Sequence, residues 1–113
     1  MQPEIEKYLF DIEEACRAIL ELAQTSSLEK FRTTRWLRSS IEREFIIIGE
    51  ALRNAIAVDP TLATEITDSR SIIGFRNIVV HGYSTVDRDF VWGFIQTDLP
   101  RLVTEVQQYL KER

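Results

Sequence analysis

Apolar residues recur at three- and four-residue steps through four separate stretches of this chain, and that spacing commits it to amphipathic helices. Ile5, Leu9, Ile12, Cys16, Ile19 and Ala23 form the first stripe. It predicts a helix from Pro3, a residue suited to a first turn, to Gln24, with Thr25-Ser26-Ser27 as the break. Leu37, Ile41, Phe45, Ile48, Leu52 and Ala55 form the second, from Thr33 or Thr34 to Asp59-Pro60, because a residue before proline avoids helical angles. Ile46 and Ile47 widen that stripe beyond what one neighbour needs, which marks a central helix or half of a dimer contact. A third helix is predicted from Asp68, as N-cap, to His81, with Gly82 as its stop and Ile72, Phe75 and Val79 facing the core. The fourth starts at Asp87, with Val86 and Val91 at the positions of a hydrophobic staple. Its stripe is Val91, Ile95, Leu99, Leu102, Val106 and Leu110, and Pro100 should kink it by removing the bond to the carbonyl of Gln96. No period-2 pattern, internal repeat or low-complexity linker interrupts this order. The expectation is an all-α fold, an antiparallel four-helix up-down bundle with a short extra helical turn, as one domain over residues 1–113.

Bulk properties narrow the function classes. A chain of 113 residues, 44% hydrophobic and 28% charged, has material for one globular core. No apolar run approaches the roughly 20 residues of a bilayer span, so no membrane role is expected. The acidic start Met1-Gln2-Pro3-Glu4 lacks the basic-then-apolar order of a signal peptide. Cys16 is the single cysteine, which leaves no internal disulfide and makes a reducing cytoplasm the expected setting. One Cys and one His do not make a zinc site from those ligands in one chain, and no cofactor is expected. The net charge of −4 argues against nonspecific coating of nucleic acid. Between Glu29 and Arg53, however, six basic residues (Lys30, Arg32, Arg35, Arg38, Arg43, Arg53) face four acidic ones, so a local basic face is available.

The chemistry concentrates in Arg76-Asn77-Ile78-Val79-Val80-His81-Gly82-Tyr83, which contains the single histidine. A core helix has no use for a guanidinium, an amide, an imidazole and a phenol so close together, because each buried polar group needs a partner. A site acting on a phosphodiester has uses for them. Arg76 is the candidate phosphate-binding group, against a structural ion pair as the alternative. His81 is the candidate general acid or base, against a histidine interacting with the helix dipole. Asn77 can orient the imidazole, bond an RNA hydroxyl, or sit idle on the helix surface. Tyr83 can stack on a base, donate to phosphate, accept a modification, or simply pack. Glu50, an acid inside Ile46-Ile47-Ile48-Gly49-Glu50-Ala51, can hold Arg76 or Arg43, with Gly49 permitting a close helix approach. In a straight helix, residues five apart diverge by roughly 140°, so Arg76 and His81 do not share a face. Either the last turn is distorted or a two-fold dimer completes the pair, and the composite cleft is the favoured expectation.

These residues resemble a known family. Arg76-x4-His81-x-Tyr83 is similar to the R-x4–6-H-x-Y signature of HEPN-domain ribonucleases. Phe45-Ile46-Ile47-Ile48-Gly49-Glu50-Ala51-Leu52 and Ile72-Ile73-Gly74-Phe75 ahead of the motif resemble its HepT branch, with Val86-Asp87 and Asp98-Leu99-Pro100 at matching places. The resemblance covers nearly the whole chain. It implies a helical homodimer with Arg76 and His81 of both subunits lining one cleft. It further implies metal-independent RNA cleavage, in which the ribose 2′-hydroxyl attacks the adjacent phosphate, His81 assists proton transfer and Arg76 stabilises the charge. HepT-like proteins act as toxins paired with an MntA-like nucleotidyltransferase antitoxin that adds AMP to the motif tyrosine, here Tyr83. One departure concerns a tryptophan common in relatives seven residues before the motif arginine, where this chain has Ser69. Trp36 and Trp92 lie elsewhere and are read as packing residues.

Two other readings compete with a ribonuclease toxin acting on RNA. One is a non-catalytic helical dimer that binds a partner nucleotidyltransferase or a nucleotide. The other, a DNA-binding regulator, is disfavoured, because Ile72, Ile73, Phe75, Ile78, Val79 and Val80 make the third helix too apolar for a DNA groove.

Overall fold

The computed structural model describes residues 2–82 and 87–112, the side chains of residues 80–82 and 112 excepted. Seven helices are found among the described residues: α1 (Pro3–Gln24), α2 (Leu28–Thr33), α3 (Arg35–Val58), α4 (Leu62–Glu65), α5 (Ser69–Gly82), α6 (Arg88–Thr97) and α7 (Leu99–Glu112). The long segments α1, α3, α5 and α6–α7 make the expected all-α bundle, with α3 packed against both α1 and α5 and α7 against α1. No described helix is long and apolar enough to cross a membrane.

The stripes bury as their spacing dictates. All six apolar residues named for α1 and all six for α3 are buried, as are Val91, Ile95, Leu99, Leu102 and Val106. Ile72 and Val79 of α5 join them, and Phe75 meets Phe45 edge-on with ring centroids 4.9 Å apart. Cys16 sits inside this core, where loss of hydration pushes its thiol up to about 12, so it stays neutral and inert.

Four details differ from the sequence expectation. Two short helices occur where one extra turn was expected. Ser27 caps α2 by accepting from Lys30 N–H at 3.2 Å, and the buried Phe31 fixes that helix against Trp92, with ring centroids 5.5 Å apart. Leu62, fully buried, fixes α4, while Asp59 accepts from Thr61 N–H at 3.1 Å to close the turn before it. The fourth helix is two. Asp98 interrupts it before Pro100, whose missing N–H is harmless in the first turn of α7. Asp68 sits at the start of α5 with its carbonyl accepting from Ile72 N–H at 2.9 Å, but Arg101 takes its carboxylate through contacts of 2.8–3.2 Å. Finally, Trp92 packs as expected whereas Trp36, the second residue of α3, is 65% exposed.

Asp87 caps α6 as predicted, accepting from the N–H groups of Asp89 and Phe90 at 3.0 and 3.2 Å. Val86, its expected staple partner, lies outside the described residues. At the site of the sequence departure, Ser69 is buried and donates its hydroxyl to the carbonyl of Ala63 at 2.8 Å.

Candidate functional site

The site is built where α5 crosses α3, and a missing side chain sets the crossing. A Cβ placed on Gly49 would lie 2.5 Å from Arg76 Cβ and 2.8 Å from its Cγ. The Arg76 stem therefore occupies the volume that any other residue at 49 would fill. Close approach lets Glu50, next along α3, receive the guanidinium. Its Oε1 accepts from Arg76 Nε at 3.0 Å and from Nη2 as well, while Nη1 donates to Asn77 Oδ1 at 2.9 Å.

Burial is uneven across this pair. The Arg76 side chain is only 14% exposed, whereas Glu50 is 46% exposed. A buried cation needs its partner, but the half-exposed carboxylate leaves one edge open to solvent. Guanidinium has five N–H groups and the contacts with Glu50 and Asn77 use three, so among the described residues two remain for a further acceptor. The arrangement holds a cation with fixed orientation and spare donors, a geometry that suits an anionic oxygen. Of the two partners foreseen for Glu50, it takes Arg76, and Arg43 stays exposed.

His81 belongs to the last turn of α5, which is α-helical through Gly82 without the distorted turn that the sequence left open. The His81 side chain and Tyr83 lie outside the described residues. Among the described residues no group of three or more His, Cys, Asp or Glu side chains is placed to hold a metal ion. Sequence reasoning missed the depth of Arg76, because charge alone gives no signal of burial. The signal that could have found it is Gly49, a glycine in the middle of a long apolar helix, where it is otherwise unfavourable.

A family model described as "Ribonuclease HepT-like" matches residues 12–109. The chain belongs to the HepT-like ribonuclease family. Among curated relatives, the protein named "Probable ribonuclease HepT" of Thermococcus cleftensis is 30% identical over 104 residues, covering 92% of this chain and 94% of the relative. "Putative RNase MJ1380" of Methanocaldococcus jannaschii is 27% identical over 104 residues, with coverage of 92% and 94%. No solved structure matches the chain significantly. The family and the HEPN-like bundle thus agree with the resemblance carried by the motif.

The Gly49–Arg76 contact makes a specific prediction. Gly49→Ala should force α5 off α3 and lower stability by about 1–3 kcal/mol, measured by urea unfolding. Unchanged stability would show that the helices separate freely and that Arg76 is not held by their approach.

Proposed function

We propose that this protein is a metal-independent endoribonuclease, the toxin of a toxin–antitoxin pair, with Arg76 and His81 as its catalytic residues. The observation that carries the reading is the oriented Arg76 guanidinium, with two donors unspent among the described residues, five residues ahead of the motif histidine in a HepT-like chain. In the proposed reaction a ribose 2′-hydroxyl attacks the adjacent phosphorus and gives its proton to a base. The bond to the 5′-oxygen breaks, and that oxygen takes a proton. A 2′,3′-cyclic phosphate and a 5′-hydroxyl result. Imidazole, titrating near neutral pH, suits both transfers, and Arg76 would stabilise the negative charge on the pentavalent phosphorus. Glu50 and Asn77 serve as positioning residues for the guanidinium.

We further propose that the cleft is shared by two copies. Positions 76 and 81 diverge by roughly 140° on a regular helix, so one chain does not aim both groups at one phosphate. Gly74 supports a second copy. It lies inside α5, where glycine is less favourable than alanine by about 0.5–1 kcal/mol, yet among the described residues nothing lies within 4 Å of a Cβ placed there. Beside it run Ile78 at 43% and Phe90 at 63% exposure, an apolar strip flanking a shallow groove between α5 and α6. Positions 74, 78 and 81 fall on one stripe of the helix, so a copy seated on this strip approaches the motif.

Regulation is proposed through Tyr83. An MntA-like nucleotidyltransferase would transfer AMP to its phenol, adding charge and bulk beside the cleft and repelling RNA. A cytoplasmic setting fits both partners. The rival reading, a non-catalytic dimer that only binds the transferase, needs Tyr83 but not Arg76 and His81 together.

His81→Ala and Arg76→Ala should each lower RNA cleavage in EDTA by at least about 10²-fold with the fold intact. Mixing and re-associating the two inactive variants should restore measurable cleavage, because one composite site regains both groups. Activity that persists in either variant, or an inactive unmodified wild type, would favour the rival reading. Co-expression with the cognate transferase should add the mass of AMP to Tyr83 and silence cleavage; a modified, fully active protein would refute that step.

A further inference from the structure

Trp36 and Arg43 are exposed on α3 and have no ring or ion-pair partner among the described residues. Trp36 is 65% exposed and makes no ring stacking contact among the described residues, while Trp92 is packed on Phe31. Arg43 is exposed, and no described side chain pairs with it. Both belong to α3, and with Glu50 they are spaced seven residues apart. At 100° per residue these three positions fall within about 40° of one another, on a stripe turned away from the buried row Leu37, Ile41, Ile48 and Leu52. The stripe begins at the partner of Arg76 and ends at the start of α3, about 21 Å away at 1.5 Å per residue.

Its Trp36 end carries a net positive charge, while Glu50 and, beside Ile47, Asp11, Glu14 and Glu44 make the other end acidic. Residues 35–43 carry three arginines and one glutamate, a local +2 in a chain of net −4. Arg88, which opens α6, adds to it. Arg38 Nη1 and Arg88 Nη1 both donate to the carbonyl of Arg32, at 2.7 and 2.8 Å, so two guanidinium groups crowd one oxygen at this end of the bundle. Glu42 interacts electrostatically with both Arg38 and Arg88 and offsets part of their charge, and Asp89 is occupied by Arg32. Arg35 and Arg43 have no ion-pair partner among the described residues. Uncompensated arginines beside an exposed indole are the elements of a single-strand nucleic-acid surface, in which cations follow the backbone and an aromatic face stacks a base.

We propose that the outer face of α3 carries the single-stranded RNA flanking the cleavage site, with Arg43 on a phosphate and Trp36 stacked on a base a few nucleotides away. This rests on the reading of Arg76 as the phosphate-binding group, because the track starts at its partner Glu50. Stacking needs an unpaired base with a free face, so the track selects single strands over duplex and tolerates any base. A protein that is acidic overall can thereby hold a polyanion along one line.

The test is fluorescence anisotropy with a labelled single-stranded RNA whose 2′-hydroxyls are methylated, read beside KM and kcat on the unmodified strand. Trp36→Ala should weaken binding roughly tenfold and raise KM with kcat kept. Arg43→Gln should reduce the slope of log affinity against log salt by about 0.7. Lys111→Gln, which removes the same charge near the end of α7, should change neither. Affinity and KM within twofold of wild type in both Trp36→Ala and Arg43→Gln would overturn the track while leaving cleavage by Arg76 and His81 standing. Wild type that binds with these dependences but never cleaves would overturn the reaction and support the track. Affinity lost only together with self-association would assign Trp36 to a protein contact and overturn the proposal.

Discussion

The close approach of α5 to α3 at Gly49 governs the rest of this molecule. Without a side chain at that position, the stem of Arg76 beds against the α3 backbone and Glu50 closes on its head. Fixing a long flexible cation costs rotamer entropy, which its contacts must offset. Here packing on one side and hydrogen bonds from Glu50 and Asn77 on the other set its direction. Preorganisation of this kind matters for catalysis, because a donor already aimed needs no reorganisation when charge develops.

The frame around that contact keeps α5 in register. Arg101 of α7 grips the carboxylate of Asp68 just before α5, and Glu105 accepts from Thr67 N–H one residue earlier at 3.2 Å. The start of the motif helix is thus tied to the C-terminal helix, while Phe45, Phe75 and Phe94 hold its middle. Asp87 then restarts the chain as α6 through its cap bonds. Arg32 and Asp89 form a two-bonded ion pair that ties α2 to α6 and holds the Asp89 carboxyl below its ordinary range. Both groups are well exposed, so the pair fixes geometry more than it adds stability.

Much of this was legible in the sequence, for physical reasons that also explain the remainder. Helices longer than two turns announce themselves through repeated burial, so α1 was read to its ends and α3 to within a residue or two. The six residues of α2 and the four of α4 are too short to show a period, and each depends on one buried side chain, Phe31 or Leu62. The Glu50–Arg76 partnership could be named from composition and position. The depth of Arg76 could not, since burial is decided by tertiary approach. Trp36 shows the opposite error: tryptophan is so often a packing residue that its exposure is visible only in three dimensions.

The proposed chemistry requires that the guanidinium fixed by α3 offer its remaining donors to a phosphate. A crystal structure of the protein with a 2′-O-methylated RNA strand tests this most directly. The account predicts a backbone phosphate within hydrogen-bond distance of the Arg76 N–H groups that Glu50 and Asn77 leave free, with a His81 imidazole at the adjoining ribose. RNA bound elsewhere, with Arg76 still enclosed by Glu50 and Asn77 and no imidazole near a phosphate, would contradict it.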